Sequence, residues 1–249
     1  MRRAAILFFV LALCGCRADN GGGPEELLPD LVQAPPQALA AVRADDGWRL
    51  AFLSAVENEG LGPLVVEGRR PSRAVGTMSV RQLVRRSDGS AATYDVGALL
   101  RFAESESHRH WHYLGFERYE ILSVRGRVLG RDRKTGFCLG DRYDAQAGLR
   151  IRSEPATPLW TQECGRGQPE RLRLREGLSP GYGDDYVPVL EGQSVGIDDL
   201  PAGSYRLRHR VNVDRALRES DYGNNSASVL FDLTWSQSGT PSVEPVYQG

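Results

Sequence analysis

The sequence predicts an all-β fold, a β-sandwich with long irregular loops that carry the functional site. Three observations predict it. Apolar and polar residues alternate with a period of two in the clearest segments, turn formers are frequent (28 Gly and 14 Pro in 249 residues), and 41% of residues are hydrophobic. That is enough apolar material for one packed interior of about 200 residues. Glycine and proline at this frequency disfavour long helices, and with them bundles and coiled coils.

The elements follow in chain order. Met1-Arg2-Arg3, an apolar run from Ala4 to Leu13 and then Cys14-Gly15-Cys16 have the charged start and short apolar stretch of a secretory signal over residues 1–15. The run is too short to span a bilayer. Leu13-Cys14-Gly15-Cys16 resembles a bacterial lipobox, with Cys14 unusual at its middle position, which implies export and lipidation of Cys16. Membrane attachment is then through the lipid alone. Arg17 stands where an aspartate is associated with inner-membrane retention, so the outer membrane is the expected location. Residues 16–27, with Gly21-Gly22-Gly23-Pro24, read as a flexible tether, residues 28–236 as one domain and residues 237–249 as a loose tail.

Within the domain, Tyr205, Leu207, His209, Val211 and Val213 alternate with Arg206, Arg208, Arg210 and Asn212, and Ala227, Val229, Phe231, Leu233 and Trp235 alternate with more polar neighbours. These are two half-buried strands. Further strands are expected over Arg49 to Val56, Met78 to Arg85, Thr93 to Phe102, and His108 to Val124 with a break near Gly115. Short strands separated by turn signals suggest a sandwich. Residues 140–185 lack a sustained pattern and read as a long irregular segment, the kind that often carries a site.

The rare residues are more informative. Thirty of the 31 basic residues are arginine and one, Lys134, is lysine. An amine can lose its proton and act as a nucleophile, whereas guanidinium stays charged, so Lys134 is either a chance survivor of the bias or a reactive group. Three of the four histidines, His108, His110 and His112, fall within five residues. On an extended strand all three face one side, and the outer two stand about 13 Å apart, so a shared ion requires a bend. Three imidazoles with an open position suit copper or zinc; the alternative is a row of surface histidines. His209, alone between Leu207 and Val211, reads as a buried, hydrogen-bonded core histidine. After loss of the signal only Cys138 and Cys164 remain, most simply a disulfide in an exported protein. Glu219-Ser220-Asp221-Tyr222-Gly223-Asn224-Asn225 could hold a hard cation such as calcium, and by spacing alone reads as a turn. The formal net charge of −1 excludes non-specific binding to nucleic acid.

From about Leu28 to Leu233 the chain resembles a bacterial member of the lysyl oxidase family. The matching pieces occur in the family's order: Leu28-Pro29-Asp30-Leu31-Val32, the strand ending Val56-Glu57-Asn58-Glu59-Gly60, the histidine run with Phe116-Glu117-Arg118-Tyr119, and Lys134-Thr135-Gly136-Phe137-Cys138-Leu139. Gly177-Leu178-Ser179-Pro180-Gly181 then leads to Asp184-Asp185-Tyr186, followed by Pro201-Ala202-Gly203-Ser204-Tyr205 and the Glu219 to Asn225 segment.

The resemblance implies that His108, His110 and His112 bind Cu2+, and that Lys134 and Tyr186 become cross-linked as lysine tyrosylquinone. It implies oxidative deamination of a primary amine, small or peptidyl-lysine, by O2 and water to an aldehyde, ammonia and H2O2. The base would be a carboxylate near the quinone, with Asp184 and Asp185 as candidates by neighbourhood; their other reading is a turn after Gly181. It further implies a possible Ca2+ site from Asp30, the Leu31 carbonyl, Glu219, Asp221, Asn224 and Asn225. Animal members carry more disulfides, and cysteine in the place of Tyr182. Two rival readings remain: a zinc hydrolase using the same imidazoles, which would not need Lys134, and a non-enzymatic copper-binding or adhesion lipoprotein, which needs neither Lys134 nor Tyr186.

Overall fold

Alternation becomes strand wherever an apolar face can be covered, and a computed structural model shows how the coverage is arranged. It describes residues 23–105, 108–132, 136–145, 155–190 and 192–246. These contain, in order, β1 (Glu26–Leu27), β2 (Leu31–Gln33), β3 (Gln37–Ala44), β4 (Gly47–Asn58), β5 (Leu64–Arg69), β6 (Thr77–Arg86), β7 (Ala91–Phe102), β8 (Trp111–Leu114) and β9 (Glu117–Ser123). Then follow β10 (Val128–Arg131), β11 (Gly136–Phe137), β12 (Tyr143–Asp144), β13 (Arg173–Leu178), β14 (Tyr182–Tyr186), β15 (Ser194–Gly196), β16 (Gly203–Val211), β17 (Ser226–Trp235) and β18 (Pro241–Val246). No helix occurs among the described residues, and the all-β class stands.

One sheet runs β11-β8-β7-β6-β5-β13, with β1 on β6, and another runs β10-β9-β16-β17-β18. A third sheet is built on β4, which pairs with β2, β3, β14 and β15 along its length. The pairing is antiparallel, so one face of a sheet can be apolar and the other wet. In β16 the inward residues Tyr205, Leu207, His209 and Val211 are buried, and the arginines between them point outward. Phe52 of β4 packs on Tyr119 of β9 (ring centroids 4.8 Å) and on His209 of β16 (4.6 Å), joining the β4 sheet to the five-stranded sheet.

Four expectations change. Pro241–Val246 is not a loose tail but an edge strand on β17, where its prolines need no partner on the open side. The tether ends earlier than residue 27, because Glu26 and Leu27 pair with Arg86 and Arg85. The 140–185 segment contains β12, β13 and most of β14, disguised by glycines at strand positions. His209 is buried as expected but not hydrogen-bonded: both ring nitrogens lack a partner, and burial holds the ring neutral among aromatic neighbours.

The outer faces use one device twice. Glu67, almost fully buried, accepts from Arg69 Nε (2.6 Å), Arg173 Nε (2.8 Å) and Arg175 Nε (2.7 Å). Glu120 likewise gathers Arg131, Arg208 and Arg210. Burial pushes the Glu67 carboxyl up, but the three guanidinium groups outweigh it and hold it down to about 2. A depressed carboxyl contributes stability that is present above its unfolded value of about 4.5 and lost as pH falls toward 2. Thermal melts are therefore expected to show an acid loss across that window that is smaller in Glu67→Gln.

Candidate active site

The histidine run does not stay straight. His108 N–H donates to Ser105 O (3.0 Å) and His110 N–H to His108 O (2.6 Å), so the strand begins only at Trp111. The bend brings the rings to centroid separations of 5.5 Å (His108–His110), 5.4 Å (His108–His112) and 4.6 Å (His110–His112). Trp111 fixes the bend from behind: it is fully buried, its Nε1 donates to Gln168 O (3.0 Å), and its backbone N–H donates to Cys164 O (2.9 Å). Gly136 lets the neighbouring strand close on His112, since a Cβ there would meet the His112 side chain at 2.5 Å.

The donor set fits a copper-type ion. His110 Nε2 and His112 Nε2 lie 2.7 Å apart, so both nitrogens turn toward one point where an ion could be held. Burial, with His108, Arg166 and Arg142 nearby, lowers the His110 pKa to about 4, so the ring is neutral and its lone pair is available. Its Nδ1 is buried without a partner. Among the described residues no three such side chains form a closed ligand group as they stand. The His110 and His112 nitrogens converge, and the His108 ring centroid stands within 5.5 Å of both of their ring centroids.

On the facing wall, strand alternation puts Tyr182, Asp184 and Tyr186 of β14 on one side, with Asp184 opposite Val56 and Tyr186 opposite Ser54 on β4. Tyr186 OH lies 2.6 Å from Asp184 Oδ2 and 3.3 Å from Cys138 O. Asp184 is buried and accepts from Gly140 N–H (3.2 Å), and Arg142 Nε stands 3.5 Å from its Oδ1. Burial raises the Asp184 pKa to about 7 against those three partners, and burial with the Asp184 charge raises that of Tyr186 further. Asp184 thus titrates near neutrality, while Tyr186 keeps its phenolic proton there. Asp185, of opposite parity, is half-buried; neither aspartate holds a turn.

The 138–141 segment is clamped from three sides. Glu176 accepts from Leu139 N–H (3.2 Å), Asp184 from Gly140 N–H, and Asp141 accepts from Ser179 N–H (2.7 Å) and Leu159 N–H (2.8 Å). The Cys138–Cys164 disulfide closes a 26-residue span and joins this segment to the backbone behind Trp111. Such a cross-link contributes about 3 kcal/mol in the chain-entropy account.

Histidines and tyrosine meet in a cavity of ≈ 220 Å³ lined by His108, His110, His112, Gly136, Cys138, Arg142, Glu163, Arg166, Asp184, Asp185, Tyr186 and Leu190. Sequence reasoning missed Arg142, Glu163 and Arg166; within an arginine-rich chain no spacing marks them. Lys134, like Cys16 and the signal segment, lies outside the described residues.

The fold also gathers the distant acidic segment. Glu219 Oε1 accepts from Asn212 Nδ2 (2.5 Å) and Asn225 Nδ2 (2.6 Å), and its Oε2 accepts from Leu31 N–H (3.0 Å). Asn224 Nδ2 donates to Asp30 Oδ1 (2.9 Å). Leu31 thus joins the cluster through its N–H, while Asp221 accepts from Gly223 N–H within its own exposed turn. The amide oxygens of Asn224 and Asn225 are buried without partners, which fits a hard cation.

Fold and cavity define a class: an all-β protein with an imidazole cluster facing a buried tyrosine–carboxyl pair across one small pocket. A model of the Lysyl oxidase family matches residues 88–240. The chain is 28% identical to lysyl oxidase homolog 2B of Danio rerio over 221 residues, 85% of this chain and 26% of that one. It is 27% identical to lysyl oxidase homolog 1 of Homo sapiens over 161 residues, 54% of this chain and 25% of that one. It is also similar to lysyl oxidase homolog 2 of Gallus gallus, at 28% identity over 122 residues, 48% of this chain and 14% of that one. The chain belongs to the lysyl oxidase family. It spans about a quarter or less of the length of these curated relatives.

Proposed function

We propose that this chain is a copper- and quinone-dependent amine oxidase that converts primary amines, peptidyl or small, to aldehydes with release of H2O2 and ammonia. One observation carries the reading: the Tyr186 phenol, bonded to Asp184, shares a cavity with three converging imidazoles. His108, His110 and His112 would hold the copper, and Tyr186 with Lys134 would furnish the quinone. Bound copper and quinone supply the electron sink that takes two electrons from the amine and passes them to O2.

The chain's own groups handle position and protons. Asp184, held near neutrality by burial, is the base that takes the substrate's α-proton. The Gly140 N–H and Arg142 orient its carboxyl and steady its charge. Cys138 O and Asp184 Oδ2 fix the Tyr186 oxygen from two sides. The backbone clamp around residues 138–141 keeps those acceptors in place. We further propose that Asp30, Glu219, Asn224 and Asn225, with Asp221, hold calcium away from this pocket, and that the protein is exported and anchored at the cell envelope through Cys16.

Copper titration of metal-depleted protein tests the ligand set. Wild type is expected to bind one tight equivalent, and His110→Ala and His112→Ala to lose affinity by about 100-fold or more. Unchanged binding in both variants would remove the histidines from the site.

A further inference from the structure

Among the described residues the cavity carries two guanidinium groups, Arg142 beside Asp184 and Arg166 beside Glu163. Arg142 Nη2 stands 3.4 Å from Cys138 Sγ and its Nε 3.5 Å from Asp184 Oδ1, so it lies beside Tyr186, which touches the same two residues. Arg166 also lines the cavity, paired with Glu163; the two side chains are 48% and 59% exposed. An exposed pair of this kind contributes little and opens readily to a ligand.

A primary amine is a cation near neutral pH. Guanidinium groups on the wall repel that cation and give nothing to an uncharged tail. They are matched instead to an anion on the same molecule, and the guanidinium fork suits a carboxylate best. Glu163, Asp184 and Asp185 stand on the same lining, so the cavity presents both signs of charge, as a zwitterion does. Its ≈ 220 Å³ suit a molecule of amino-acid size.

We propose that the substrate is a small amine bearing a carboxylate, which Arg142 and Arg166 grip while the amine is directed to Tyr186 and Asp184. The inference rests on the amine oxidase reading and narrows it to a substrate class.

Two measurements separate the two claims. The first compares kcat/KM for 3-aminopropanoate and 6-aminohexanoate with alkylamines of matching length, using copper-loaded protein and H2O2 release. The better ω-amino acid is expected to exceed its alkylamine about tenfold or more, as for a charge-assisted hydrogen bond, and that ratio to fall toward one in Arg142→Gln and Arg166→Gln. A ratio at or below one, or a ratio unchanged in both variants, overturns the inference while leaving the oxidase reading in place. The second is calorimetric titration of metal-free protein with the same probes, which needs no turnover. Saturable binding of an ω-amino acid that is weakened in Arg166→Gln supports the inference even where no amine is oxidised; its absence overturns it.

Discussion

Tyr186→Phe is expected to reduce amine-dependent H2O2 release below detection and to abolish quinone labelling, with little change in fold. The substitution removes one oxygen atom. That oxygen is buried, 2.6 Å from Asp184 Oδ2 and 3.3 Å from Cys138 O, on the wall facing the histidines. A ring without it cannot become a quinone, whereas the stability cost is that of one buried hydrogen bond, about 1 kcal/mol. Thermal melts run beside the assay distinguish the two. A Tyr186→Phe protein that folds and still oxidises amines would remove this residue from the cofactor.

Asp184→Asn carries the second large effect. A positioned base contributes about 10²–10⁴-fold, and kcat is expected to fall by that range while copper binding stays intact. In the wild type, kcat/KM is expected to rise with pH through about 7, where the buried carboxyl loses its proton. The stability sign is the reverse of that at Glu67. A carboxyl raised from 3.8 to about 7 favours the folded state fully at low pH, and that contribution fades as pH rises across this interval. Asn at 184 removes the fade, so the pH–stability curves of variant and wild type should converge toward the acid side. Unaltered kcat in the variant would assign the base elsewhere.

The strand pattern was legible where one face meets the core and the other meets water. Leu207, His209 and Val211 against Arg206, Arg208 and Arg210 gave β16 directly, and β17 followed the same rule. It failed where packing, not alternation, set the strand. In β14, Gly183 sits under the Tyr143 ring, which leaves no room for a side chain, so its local composition resembled a loop. Residues 237–249 read as a loose tail, yet Pro241 and Pro245 sit in β18, because an edge strand tolerates proline. The site was legible by residue type and not by geometry. Three imidazoles stood out by their clustering, but the bend between His108 and His110 depends on backbone bonds to Ser105 and His108 that spacing does not encode. Asp184 and Tyr186 share a face only once residues 182–186 are known to be extended. Arg142 reaches Asp184 across 42 positions, and no local pattern announces such a contact.

The most direct test of the central claim is phenylhydrazine labelling and amine-dependent H2O2 release in copper-loaded protein expressed with export, beside Lys134→Arg. The account predicts that wild type is labelled on the peptide containing Tyr186 and oxidises amines, and that both signals vanish in Lys134→Arg. Copper-replete wild type that takes no label would contradict it and favour a copper-binding module without oxidase chemistry.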